Sequence, residues 1–183
     1  SRFISKTIMD LVFNKDYRFS DCAVFYRMNA QSRIFESVFN QERIPYTIVG
    51  GLRFFEREEI KDVLAYIRLV MNPMAELALR RIANRPPRGI GQKTVDVVIS
   101  SVIHHGRSIL SDTDNIPVAS SRKKQVQAFT DLLCDLKERL TDLDPPSFLQ
   151  YVYKESGYLE WLNGEQKTEK AKNLEELYNA VLE

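Results

Sequence analysis

Two short blocks of this 183-residue chain carry side chains suited to holding a ligand, and neither has the look of a bond-breaking centre. The first is Arg85-Pro86-Pro87-Arg88-Gly89-Ile90-Gly91-Gln92-Lys93-Thr94. Its prolines end one helix. The glycines of the Gly-Ile-Gly turn carry no Cβ, so the backbone amides can come close to an anion. The next helix presents its positive N-terminal end. Between Arg80 and Lys93 there are basic residues at 80, 81, 85, 88 and 93 and no acidic one. Ile90 would plug the turn into the core. An ordinary interhelix turn is the competing reading. The second block, Tyr26 to Arg33, offers a phenol, two guanidiniums, an amide and a hydroxyl at the end of a short apolar run. Ligands of open α/β sheets bind at that place, beyond a strand and beside a helix N-terminus. The plainer alternative is that Asn29 only caps a helix and that Arg27 and Arg33 pair with nearby acids.

A third block, Gly50-Gly51-Leu52-Arg53-Phe54-Phe55, reads as a hinge. Adjacent glycines release the backbone, and the following aromatics anchor one side. No Lys-Ser/Thr follows, so it is not a phosphate loop of the Walker A kind. A plain tight turn with aromatic packing is compatible with the same residues. Glu56, Glu58, Glu59 and Asp62 open the next helix, where its dipole favours carboxylates. Nothing in their pattern asks for a catalytic role. Cys22, Cys134, His104 and His105 show no zinc spacing, and both cysteines are expected to be buried free thiols.

The elements that would position these blocks follow from periodicity. Residues 3–13 have Ile4, Ile8, Leu11 and Val12 on one helical face. Residues 21–26 and 46–49 read as strands flanking a helix over 30–41, with Ile34, Phe35, Val38 and Phe39 as its buried stripe. Two strands do not make a stable sheet, so partners are expected from outside the chain or from a second copy. From Glu58 onward only helices are expected: 58–71, 74–83, 91–102, 120–140, 145–155 and 167–181, with a short turn at 109–110 and a polar loop over 111–117. The fold class expected is therefore α/β over residues 1–55, then an all-helical unit over 56–183.

Composition sets outer limits. The 44% hydrophobic and 28% charged balance is that of a globular protein, and the net charge of +1 does not by itself announce a polyanion partner. Arg122-Lys123-Lys124 is a second basic run that reads as a solvated helix face. No apolar run approaches the roughly 18–20 residues of a membrane span. Lys6, Asp10 and Asn14 interrupt the first apolar run, against a cleavable leader. The chain starts at Ser1 rather than Met, which suits a piece of a longer protein, and the expected location is cytoplasmic.

Four blocks, in order and spacing, carry a family resemblance. They are Tyr26-Arg27-x-Asn29-Ala30-Gln31-Ser32-Arg33, Ile44-Pro45-Tyr46, Val49-Gly50-Gly51-x-Arg53-Phe54-Phe55-Glu56-Arg57 and Glu59-Ile60-Lys61-Asp62. Together with Pro87-Arg88-Gly89-Ile90-Gly91 and the 169–177 region, they closely resemble UvrD/PcrA/Rep-type superfamily I DNA helicases. The unbroken Gly-Gly-x-Arg-Phe-Phe-Glu-Arg block argues for these over RecB- or AddA-type nuclease-helicases. The resemblance implies the front of the second RecA-like, P-loop NTPase domain (2A), incomplete here, followed by the helical insertion (2B) with a helix-hairpin-helix-like turn.

It also implies roles. Asn29 and Arg33 would contact single-stranded DNA, where the planar donor fork of Arg matches phosphate oxygens. Arg88, Gly89, Ile90, Gly91, Lys93 and Thr94 would grip duplex backbone without reading sequence. Gly50, Gly51, Arg53, Phe54 and Phe55 would form the swivel between subdomains. The parent would be an ATP-dependent helicase moving 3′ to 5′, using ATP and Mg²⁺. No Walker A loop, Walker B strand or arginine finger can be placed in this chain, so it is expected to hold no cofactor and hydrolyse no ATP alone. Expected partners are DNA at a single-strand/duplex junction, the remaining helicase domains, and a second copy through unpaired strands. The alternative is an interaction module that clamps or inhibits the motor without touching DNA.

Overall fold

The first helix, α1 (Arg2–Asn14), turns Ile8 inward with Ile4, Met9 and Val12 beside it, while Phe3 and Phe13 face solvent. In the computed structural model, which describes residues 1–104, 109–110, 116–164 and 167–182, α1 packs on α2 (Ser32–Gln41). A single 3-10 turn, Asn29–Gln31, leads into α2. The stripe expected on α2 is only partly inside: Val38 and Phe39 are buried and Phe35 half-buried, but Ile34 is exposed. Nor does Asn29 cap the helix. Its place is taken by Gln31, whose Oε1 accepts from the backbone amides of Arg27 and Met28 at 3.1 Å each.

The α/β expectation is overturned. No strand and no sheet exists among the described residues. Residues 22–26 and 45–48 carry no regular secondary structure. The composition of both runs suits strands, but a strand is made by the ladder it joins, and among the described residues neither run has a partner strand. They border an open apolar groove of about 930 Å³ lined by Val24, Phe25, Phe39, Ile44, Tyr46 and Val49 among others. Phe25 and Val49 are more than nine-tenths exposed. Ile8, Phe39 and Ile44 form a small apolar cluster of their own at this end of the chain.

The larger core begins at Phe54 and is built mainly by helices, with Ile90, Ile109, Ile116 and Val118 added from the connections. It is built by α3 (Glu58–Met71), α4 (Glu76–Ile82), α5 (Gln92–His104), α6 (Ser120–Asp142), α7 (Pro145–Glu155), α8 (Tyr158–Gly164) and α9 (Thr168–Leu182). α3 is the central pillar: Ile60, Val63, Tyr66, Leu69 and Val70 are fully buried, and it packs on α4, α6, α7 and α9. α7 starts as Asp144-Pro145-Pro146 predicts. The Asp144 side chain accepts from Ser147 N at 2.8 Å, and the prolines occupy the first turn, where no amide partner is lost. That bond holds the Asp144 carboxyl below its usual range. Tyr158 opens α8 and is buried against Trp161. Both cysteines are free but half-buried rather than buried; the Cys134 thiol donates to Leu110 O at 3.1 Å, and burial pushes it up. Most of the polar loop expected over 111–117 lies outside the described residues.

Candidate nucleic-acid interface

The Gly-Ile-Gly turn joins α4 to α5, and one side chain shapes it. Asn84 Oδ1 accepts from the backbone amides of Arg88 at 2.7 Å and Ile90 at 3.2 Å, folding the chain back on itself. Gly89 sits at φ +73, a conformation an L side chain rarely adopts. Ile90 is 2% exposed and meets Leu79, Ala83, Val95, Val98, Val126 and Phe129, so it plugs the core as its position suggested. Gly91 O then accepts from Thr94 and Val95 N, opening α5.

Of the residues expected on this surface, Lys93 is exposed and Thr94 half-buried. Arg88 is turned inward. Its guanidinium donates to Ile82 O at 3.3 Å, Pro86 O at 3.1 Å, Ser156 O at 2.9 Å and Tyr66 Oη at 2.6 Å, and it lies over the Tyr66 and Phe129 rings. Tyr66 in turn donates to Arg85 O at 2.5 Å. Burial pushes its hydroxyl up to about 12 although the Arg88 charge pulls it down. Arg88 thus ties the turn to α3 and α7. The exposed cations near the turn include the run set aside as a solvated face: a Cβ built on Gly89 would lie 3.6 Å from the Arg122 guanidinium, and Arg122, Lys123 and Lys124 are all exposed at the start of α6. Nothing in local sequence brings residue 122 to residue 89. The acids nearest in sequence are engaged: Arg80 holds Asp96 at 2.6 Å and Glu76 at 3.2 Å.

At the other block the structure joins residues that are far apart in the chain. Arg33 is 6% exposed, and its Nε lies 3.3 Å from Glu176 Oε2 on α9. The Asn29 side-chain amide donates to Glu169, also on α9. Arg27, the other guanidinium of the block, is exposed. A buried polar seam lies beneath. Arg57 donates to Asn173 Oδ1 at 2.8 Å, Asn29 O at 2.7 Å and Ser32 Oγ at 2.6 Å; Asn173 donates to Glu59 at 2.5 Å. Glu36 accepts from Ser32 Oγ at 2.7 Å and from Phe54 N at 3.0 and 3.1 Å.

The expected hinge residues lie above this seam. Gly50 sits at φ +78, and Gly50, Gly51 and Arg53 are exposed. Arg53 stacks 5.7 Å over the Tyr46 ring. Phe54 is fully buried, whereas Phe55, expected to be buried with it, is 58% exposed. Deeper in the helical unit, Asp62 has no exposed surface. It meets Arg85 at 3.1 Å, accepts from the Tyr158 hydroxyl at 2.6 Å, and forms an ion pair with Arg81 at 2.6 Å whose angle is poor for a hydrogen bond.

The described residues contain no group of three or more His, Cys, Asp or Glu placed to hold a metal ion. No described helix is long and apolar enough to cross a membrane.

The model of the UvrD-like helicase C-terminal domain matches residues 1–183. Among curated relatives, an ATP-dependent DNA helicase PcrA of Staphylococcus epidermidis is 34% identical over 163 residues, covering 87% of this chain and 22% of the relative. A DNA helicase II of Haemophilus influenzae is 36% identical over 192 residues, covering 100% of this chain and 26% of the relative. The PcrA of Staphylococcus aureus strain Mu50 matches at 34% over 163 residues, again 87% of this chain and 22% of the relative. The chain thus spans about a quarter of the length of these relatives. A match along its whole length places it in the UvrD-like helicase C-terminal domain family.

Proposed function

We propose that the chain is part of an ATP-dependent DNA helicase of 3′ to 5′ polarity, and that its helical unit holds the duplex backbone ahead of the motor. The observation that carries the duplex role is the α4–α5 turn. Its backbone is fixed by Asn84, its apolar residue is buried, and its outer face offers Gly89, Gly91, the first amides of α5 and exposed Lys93. Such a surface neutralises phosphates without reading bases. Arg88 serves it by holding the turn in shape, and Arg122 stands beside it. In the same reading, the block at 26–33 contributes part of the single-strand track, and Gly50 and Gly51 are the swivel. ATP and Mg²⁺ bind to parts of the parent helicase other than this chain, so the pure chain turns over no ATP. Nucleotide hydrolysis well above background would refute that point.

The test of the duplex role is fluorescence anisotropy of a labelled hairpin duplex with a 3′ tail, titrated with the chain at several salt concentrations. Duplex binding through Z phosphates gives a slope of log K on log salt near about −0.9Z. Lys93→Ala should weaken binding and flatten that slope. No affinity even at low salt would favour the other reading, an interaction module that clamps the motor without touching DNA.

A further inference from the structure

The last helix brings four polar side chains to the front of the chain at positions 169, 170, 173 and 176, one face of α9. Glu169 takes the Asn29 amide, Lys170 pairs with Glu58, Asn173 joins Arg57 to Glu59, and Glu176 takes Arg33. The contacts of Asn173 are structural in an evident way, since Arg57, Asn173 and Glu59 are buried and satisfy one another, and the Lys170–Glu58 pair ties α9 to α3. The other two are different. Glu169 is exposed and the Glu176 side chain is 26% exposed, yet they occupy the two side chains assigned to the single-strand track.

We propose that Glu169 and Glu176 are a carboxylate plug on that track, standing where the phosphates of a bound strand would stand. A carboxylate and a phosphate offer the same acceptor oxygens to an amide or a guanidinium, so the two compete for one set of donors. Arg33 cannot reach a phosphate while it is covered by α9 and paired with Glu176. The helix itself need not leave. Leu174 and Leu177 hold it in the core, and Tyr153 donates to Leu174 O at 3.0 Å. The plug opens when the two glutamates swing away and Arg33 turns outward. Single-strand binding by this unit is then set by an exchange of partners, and any rearrangement of α9 against α2 changes it. The inference rests on the assignment of Asn29 and Arg33 to the strand.

The experiment is anisotropy of a labelled oligo-dT against the chain and its Glu169→Gln, Glu176→Gln and double variants. Gln keeps the size and an acceptor oxygen and removes the charge. Each single change should tighten binding about threefold and the pair about tenfold, the range of an exposed hydrogen bond to a charge and a half-exposed ion pair. Adding Arg33→Ala and Asn29→Ala to the double variant should abolish the gain. Glu175→Gln, an exposed neighbour on the same helix, makes the same change in net charge and should give no gain. Glu169 is exposed, so its single variant folds and keeps the test decisive even where the double does not. An equal gain from Glu175→Gln, or a gain that survives loss of Arg33 and Asn29, would reduce the effect to net charge and overturn the plug. If wild-type binding depends on Asn29 or Arg33 but no glutamate variant tightens it, the plug falls and the track stands. If neither the chain nor any variant binds oligo-dT at low salt, both fall.

Discussion

The Arg57 guanidinium donates to the Asn173 side-chain oxygen at 2.8 Å although 116 residues separate them. This bond couples the 3-10 turn before α2, the start of α3 and the middle of α9, because the same guanidinium reaches Asn29 O and Ser32 Oγ. Arg57 is 7% exposed and also lies 5.2 Å over the Phe54 ring. A planar fork aims donors from separated nitrogens at acceptors in different elements, while the three donors of an ammonium radiate from a single nitrogen. Arg57→Ala should therefore cost about 2–4 kcal/mol, since it leaves Asn173 Oδ1, Asn29 O and Ser32 Oγ without their charged donor. Arg57→Lys should recover less than half of that. Urea unfolding followed by circular dichroism reads both. A loss under about 1 kcal/mol for the alanine variant would mean the seam is solvated.

Arg88 and Lys93 should separate stability from binding. Arg88→Ala strips a partner from Ser156 O, Tyr66 Oη, Pro86 O and Ile82 O at the end of α4, and it should lower stability by about 2–4 kcal/mol. Lys93 is exposed, and Lys93→Ala should stay within about 0.5 kcal/mol of the parent chain. Duplex affinity should fall in both, but in Lys93→Ala without any change in melting temperature. A stable Arg88→Ala chain would show that the inward bonds contribute little.

The two glycines of the turn differ, and the difference is measurable. Gly89 needs its positive φ, so Gly89→Ala should cost about 1–2 kcal/mol from backbone strain. A Cβ on Gly91 would meet nothing within 4 Å, so Gly91→Ala should leave thermal unfolding unchanged. If phosphates approach the amides that open α5, that added methyl stands in their way and duplex affinity drops in a fully folded variant. Unchanged affinity in Gly91→Ala would place the duplex elsewhere on the surface.

How much of this could be seen in the sequence depended on how far the deciding contact lay along the chain. The Asp144-Pro145-Pro146 start of α7 and the burial of Ile90 are local, and they were legible. The direction of Arg88 was not, because a count of basic residues says nothing about carbonyls at 82 and 156 waiting for a guanidinium. Arg33 looked available for the same reason: its partner Glu176 is 143 residues away. The runs at 21–26 and 46–49 mislead in another way. Their apolar, β-prone composition describes a surface that suits a ladder, and composition cannot supply the neighbouring strand.

Glu58 should make part of the stability pH-dependent. The Lys170 ammonium, and next the Arg85 guanidinium, hydrogen-bond its carboxylate and hold it down at about 2 against the opposing effect of burial. A carboxyl depressed in the folded state stabilises above its unfolded value, about 4.3, and loses that contribution as pH falls toward the folded value. The loss therefore runs from about pH 5 down to about pH 2. Glu58 is 42% exposed, so solvent screening limits its share to about 1 kcal/mol or less. Glu58→Gln should be less stable than the parent near neutral pH, and the gap should narrow in acid and in high salt. Urea midpoints at pH 7 and pH 3.5, each at low and high salt, check it. A gap that is constant with pH would assign the loss to packing and hydrogen bonding at the α3–α9 contact instead of to the charge.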